Sequence, residues 1–250
     1  MKSLKDGFGY NERLFSGGIR QRLHIARFDW LRRELTELGC SYSSVIELGC
    51  FDGKLIALLP VKPMRYAGFD ANWEGGLDAA VKRWRAYPEY SFQKVLRASD
   101  MSLRNGEVFD IAVVMETFEH IPPELVGDYL AMLSRHLKGY LFVTVPNEKG
   151  VVFLAKWLVK KMFGKDSDRY TMTEAINATF GRMHLVSRNE HKGFDYRRLI
   201  EQIDNYFDVV KISGHPLSFL PTSLCFGVSI LARTKHAGYY EPPSRGRSRS

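Results

Sequence analysis

The sequence predicts a doubly wound α/β fold: a seven-stranded, mostly parallel sheet with helices on both faces. Three observations predict it. Phe109–Met115 and Tyr140–Val145 are almost continuously apolar, as strands buried on both faces must be. Segments with apolar residues at three- and four-residue steps alternate with such strands. The first strand also runs into a glycine-bearing turn, Glu47–Gly53, the place where open α/β sheets take their ligands.

Residues 1–18 are polar and glycine-rich and read as an N-terminal arm. Over Arg20–Leu38, the residues Leu23, Ala26, Trp30, Leu31, Leu35 and Leu38 make one helical stripe, which Gly39 ends. Strand Ser44–Leu48, helix Lys54–Leu59, strand Tyr66–Phe69, helix Leu77–Trp84 and strand Phe92–Leu96 follow. After Phe109–Met115 a helix begins near Pro123, because proline suits a first turn. Its stripe is Leu125, Tyr129, Leu130, Leu133 and Leu137, and Lys138-Gly139 closes it ahead of strand Tyr140–Val145.

The alternation then breaks. Gly150–Met183 carries two helical segments, Val151–Phe163 and Thr173–Phe180, the second opened by a capping box, Thr171-x-x-Glu174. This reads as an insertion of about residues 150–183 after the fifth strand, over the ligand side of the sheet. The first helix mixes an apolar face with three lysines, so it can close as a lid, pack as core, or lie on an anionic membrane surface. Helix Phe194–Tyr206 and strands Val209–Ser213 and Phe226–Ala232 complete one domain over residues 19–236. Residues 237–250, with Pro242-Pro243 and the arginines 245, 247 and 249, read as a disordered basic tail.

Composition narrows the classes. With 45% hydrophobic and 13% aromatic residues the chain is not globally disordered. No apolar run approaches the roughly 18–20 residues that span a bilayer. Cys40, Cys50 and Cys225 lack metal-type spacing, and no signal pattern precedes them, so free thiols in a reducing cytoplasm are expected. The net charge of +8 suits an anionic partner, nucleic acid included, yet no aromatic-interleaved basic patch of the single-stranded RNA type is visible. Nothing in the sequence sets the oligomeric state.

Two clusters carry chemistry. Gly49 and Gly53 let the backbone of the first turn approach a ligand, and Asp70, at the end of the next strand, can accept both hydroxyls of a ribose. Its plainer role would be to cap the helix near Leu77. After the fourth strand, Glu116-Thr117-Phe118-Glu119-His120 sets two carboxylates and an imidazole within five residues, with His191 in a later loop on the same side. Such a set can act as a general base or bind a divalent metal, or Glu119 and His120 can simply cap the following helix.

These motifs resemble the class I S-adenosylmethionine-dependent methyltransferases, whose fold is Rossmann-like. Glu47-x-Gly49-x-x-x-Gly53 matches the family's first motif, Asp70 its acidic ribose position, and Ser99-Asp100-Met101 its adenine-contacting turn. The resemblance covers roughly residues 44–232 and departs at Phe51, where the family often has a further glycine. It implies cofactor contacts at Glu47, Gly49, Cys50, Gly53, Asp70, Ser99, Asp100 and Met115. It also implies a catalytic set of Glu116, Glu119, His120 and His191, since Glu-x-x-Glu-His occurs in ubiquinone-biosynthesis-type and small-RNA 2′-O-methyltransferases. In the former the stretch positions cofactor and acceptor or deprotonates a hydroxyl; in the latter, with a later histidine, it holds a divalent metal. The expected activity is methylation, on oxygen, of a small molecule or glycan. The alternatives are a metal-dependent RNA 3′-end 2′-O-methyltransferase and a non-catalytic cofactor-binding scaffold; intact Glu47, Gly49, Gly53 and Asp70 speak against the scaffold.

Overall fold

The structure is a computed structural model that describes residues 18–39, 41–73, 75–162, 170–189 and 191–235. The expected arm, the Cys40 thiol, the end of the first insertion helix and the basic tail lie outside the described residues. In chain order the elements are α1 (Gly18–Glu37), β1 (Ser44–Leu48), α2 (Leu55–Leu58), β2 (Arg65–Asp70), α3 (Gly76–Trp84), β3 (Tyr90–Lys94) and β4 (Phe109–Met115). Then come α4 (Pro123–His136), β5 (Leu137–Pro146), α5 (Gly150–Met162), α6 (Met172–Thr179), α7 (Tyr196–Tyr206), β6 (Phe207–His215) and β7 (Gly227–Thr234).

The strands form one sheet in the order β3-β2-β1-β4-β5-β7-β6. β7 runs antiparallel to both β5 and β6, and the other pairings are parallel. Strand order reverses between β1 and β4, so the connections from their carboxyl ends run to opposite sides and leave a crevice for a ligand. Side chains alternate across each strand and build a core on either face. One packs Ile46, Val114 and Val143 against α4 and α7; the other packs Val45, Val113 and Phe142 against α1, α2 and α3. Phe153, Trp157, Tyr170, Ala175 and Ala178 give the insertion a small core of its own.

Several element boundaries differ from the sequence reading, each for a non-local reason. β3 starts two residues earlier than expected because Tyr90 pairs with Tyr66, and its hydroxyl donates to the Pro63 carbonyl at 2.7 Å. On α4 the buried stripe runs through Val126, Tyr129, Leu130 and Leu133, with Leu125 only half-buried. Lys138-Gly139 does not end the helix; both residues lie in β5, beside an irregularity in its pairing with β4. A Cβ on Gly139 would stand 2.2 Å from the Asp110 carbonyl oxygen, so glycine serves strand packing there. The capping box of α6 is present as expected: Thr171 Oγ1 accepts from the Glu174 amide at 3.2 Å, and Glu174 accepts from the Thr171 amide at 2.9 Å.

Candidate active site

The turn after β1 is shaped by backbone conformation more than by open space. Gly49 has φ +81° and Gly53 φ +66°, both in the left-handed region that favours glycine. A Cβ on Gly49 would lie 2.0 Å from Thr117 Oγ1, and one on Gly53 2.8 Å from the Trp84 indole nitrogen. These glycines therefore also let the turn dock against β4's exit and α3. Phe51 sits between them at φ +43°, a conformation that costs a non-glycine residue on the order of 1 kcal/mol or more. Its ring covers Gly76, the first residue of α3, where a Cβ would approach it to 2.4 Å. The departure from the family motif thus places a non-glycine residue in the left-handed region and adds an aromatic contact.

Asp70 ties this turn down. Its carboxylate accepts from the Phe51 amide at 2.9 Å and from the Asn72 amide at 2.6 Å. A carboxylate has about four acceptor positions, so two remain for ribose hydroxyls. The helix-cap alternative falls to another residue: Asn72 Oδ1 accepts from the Leu77 amide at 3.1 Å. Asp100 is likewise engaged, accepting from the Leu96 and Arg97 amides at 3.0 and 2.8 Å; these bonds hold its carboxyl below the usual range and set the turn that carries Ser99. Cys50 is buried against Gly68 of β2, and Met115 is buried at the end of β4. Both therefore line the turn as packing groups.

Glu47, buried at the end of β1, accepts a hydrogen bond from the Tyr66 hydroxyl. Burial pushes its carboxyl up to about 8, partly offset by that bond, while Asp70 and Asp52 push the same way as burial. One cation acts on it that sequence reasoning missed: Arg27 on α1, whose charge also acts on Glu116 and Glu119. The Arg27 Nε is buried with no hydrogen-bond partner among the described residues. A charged donor with an unbonded nitrogen near these carboxylates could meet the carboxylate of a methionine-type ligand, and Glu47 its ammonium group. Arg27 precedes the phased stripe residues Trp30, Leu31 and Leu35 on the same helix, and nothing in its local sequence marks it.

On the opposite wall, Glu116 leaves β4 at φ +50°, its amide donating to the Thr144 carbonyl at 2.8 Å. The chain then forms a short 3-10 turn, Phe118–His120. Glu119 there is 0% exposed, and neither carboxylate oxygen has a hydrogen-bond partner among the described residues. Burial, and then the charge of Glu116, pushes its carboxyl well above the usual range. Among the described residues neither Glu119 carboxylate oxygen bonds a backbone amide of α4, so Glu119 does not cap that helix.

His191 arrives from far along the chain. A tight turn, in which Asn189 and Lys192 exchange backbone hydrogen bonds at 3.0 Å, carries it to the site. The His120 and His191 rings meet edge-on with centroids 4.3 Å apart, and ligand atoms of Glu119, His120 and His191 all fall within 4.8 Å of one another. Glu116 stands outside that group, although its charge acts on Glu119. Arg188 donates to the Glu119 carbonyl at 2.5 Å, and the Lys192–Glu174 ion pair at 2.9 Å ties the turn to α6. Trp73, beyond β2, is 70% exposed and meets His120 edge-on at 6.3 Å. Three other histidines sit elsewhere: His136 bonds the Glu107 carbonyl, His215 bonds Ser229, and His184 is exposed.

Comparisons with known proteins agree with this geometry. Residues 20–202 match the methyltransferase-domain family. The ubiquinone biosynthesis O-methyltransferase of Rickettsia prowazekii (strain Madrid E) is 22% identical, over 86% of this chain and 89% of its own. An S-adenosylmethionine-dependent methyltransferase from Clostridium acetobutylicum ATCC 824 shares the fold with a TM-score of 0.62, at 12% identity over 91% of this chain and 98% of its own. The small RNA methyltransferase HEN1 aligns with a TM-score of 0.59 at 17% identity, covering 88% of this chain but 26% of its own. A matching family over most of the chain leads to one assignment: the chain belongs to the methyltransferase-domain family and is a class I S-adenosylmethionine-dependent methyltransferase.

Proposed function

We propose that the enzyme methylates a hydroxyl oxygen of a small molecule or glycan, and that Glu119, His120 and His191 hold a divalent cation beside that oxygen. The observation that carries this reading is Glu119. A fully buried carboxylate without a hydrogen bond is costly unless a cation or a proton compensates it. Two imidazoles within 4.8 Å make the donor set one of mixed oxygen and nitrogen, suited to Mg²⁺, Mn²⁺ or Zn²⁺.

The cofactor supplies a methyl group already activated on a sulfonium sulfur. A cation bound at the three residues would lower the pKa of a coordinated hydroxyl. The protein's own groups do the rest. Asp70 and the turn around Ser99 hold the nucleoside end; Glu47 and Arg27 hold the amino-acid end, which aims the methyl across the crevice. Glu116, outside the ligand group, takes the hydroxyl proton as the O–CH₃ bond forms and the S–CH₃ bond breaks. General-base assistance of this kind is worth about 10²–10⁴-fold. The exposed face of Trp73 beside His120 offers a wall for a planar acceptor.

A curated relative aligned over nearly its whole length, an O-methyltransferase of ubiquinone biosynthesis, supports the small-molecule acceptor. An RNA 3′ end is the second acceptor class, since the small RNA methyltransferase HEN1 shares this fold with a TM-score of 0.59. The test is methyl transfer from labelled cofactor to aromatic and sugar hydroxyls and to an RNA 3′ end, with and without EDTA. Activity that EDTA abolishes and Mn²⁺ or Mg²⁺ restores supports the cation. Full activity in EDTA leaves His120 or Glu116 acting as a base without metal and refutes the cation site.

A further inference from the structure

The insertion has a second apolar surface that the fold leaves uncovered. α5 and α6 meet through Phe153, Trp157, Ala175 and Ala178. Turned away from that seam, α5 presents Val151, Leu158, Val159 and Met162 at positions that share one helical face, with Met162 81% exposed. Met172 and Ile176 of α6 and Phe180, which caps its end, are exposed at four-residue steps, with Phe180 73% exposed. Exposed apolar residues scattered singly are ordinary, but two phased stripes on one small unit are not.

The charge around these stripes is net positive. From Gly150 to Lys192 the sequence carries eight Lys and Arg against four acids, Asp166, Asp168, Glu174 and Glu190. Glu174 is already engaged by Lys192 at 2.9 Å and Ser187 at 2.6 Å. Lys161 lies 4.8 Å from the Trp157 ring and Arg182 6.0 Å from the Phe180 ring, so cations flank the apolar residues. Like charge opposes a second copy of this surface as the partner. No helix among the described residues is long and apolar enough to cross a membrane, so the stripes suit a surface and not a span.

We propose that the α5–α6 insertion seats the enzyme on an anionic lipid surface, immersing the α5 stripe with its lysines at headgroup level. The same unit turns inward at Lys156, which donates to the Asn147 carbonyl at 2.7 Å and pairs with Glu148 at 2.9 Å, beside the exit of β5. Seating it would bring the crevice next to the bilayer, whichever hydroxyl is methylated.

The experiment is flotation of the full chain with vesicles of phosphatidylcholine alone and of phosphatidylcholine with phosphatidylglycerol. The expected result is binding to the mixed vesicles only, reversed by high salt. Val159→Glu with Met162→Glu should lower the partition at least about ten-fold. Lys161→Ala should lower it about five-fold. All these positions are exposed and lie outside the cofactor turn, so calorimetric affinity for S-adenosylmethionine should stay at wild-type level, which also reports that the variants are folded. Absence of flotation with mixed vesicles overturns the proposal. So does a self-association, seen by light scattering, that Met162→Glu abolishes, since a second copy would then be the occupant.

Discussion

Replacing Glu47 by Gln tests how the end of β1 is poised for a cationic cofactor. Glu47 is buried and its carboxyl is pushed up to about 8, while the unfolded chain titrates it near 4.5. Between those values the folded state holds a proton that the unfolded state has released. Folding stability therefore falls as pH rises through this window, by about 1.4 kcal/mol per pH unit. At pH 7 the cost is about 3 kcal/mol, and it levels off near 5 kcal/mol above pH 8. Such a sum is a large part of the 5–15 kcal/mol that typically holds a domain together. Gln preserves the shape and the acceptor for the Tyr66 hydroxyl but does not titrate.

The assay is urea unfolding of the wild type and Glu47→Gln, both free of cofactor, from pH 5 to pH 8.5. Titrating groups remote from Glu47 are common to the pair and cancel in the difference. Near pH 5 the two proteins should be similarly stable, and toward pH 8 the variant should become the more stable by several kcal/mol. Adding S-adenosylmethionine should narrow the gap, because its ammonium group favours the Glu47 carboxylate; its affinity for the wild type should accordingly rise with pH up to about 8. A stability difference that stays flat across the range would refute the buried, proton-holding Glu47.

Asp70→Ala should weaken cofactor binding at least about ten-fold by calorimetry, since it removes the ribose acceptors and frees the Phe51 and Asn72 amides; unchanged affinity would remove the ribose role. Glu119→Gln should lower turnover far more than cofactor affinity and should abolish any response to added Mn²⁺; a variant with wild-type turnover makes Glu119 a packing residue. Gly49→Ala should destabilise the fold by about 1–3 kcal/mol in thermal melts, from its left-handed backbone and its Cβ 2.0 Å from Thr117 Oγ1. Pairing it with Thr117→Ala should recover only part of that loss, since the backbone strain remains. Full recovery would place the whole cost in the side-chain contact.

Much of this protein is written in local sequence. The strand–helix alternation, the left-handed turn at Gly49 and Gly53, and the capping box at Thr171 depend on neighbours a few residues apart, whose side-chain periods and backbone preferences act within one element. Asp70 was legible for the same reason, because one βα unit fixes its distance from the turn it braces. The rest was decided by packing between elements distant in sequence. Lys138-Gly139 carries a helix-stop signal, yet pairing with β4 draws both residues into β5. Only the folded chain sets His191 against His120, leaves Glu119 buried without a hydrogen bond among the described residues, and brings Arg27 from α1 to bear on both acidic walls. Those relations follow from how the sheet, α1 and the loop after the insertion converge in space, which no window of neighbouring residues encodes.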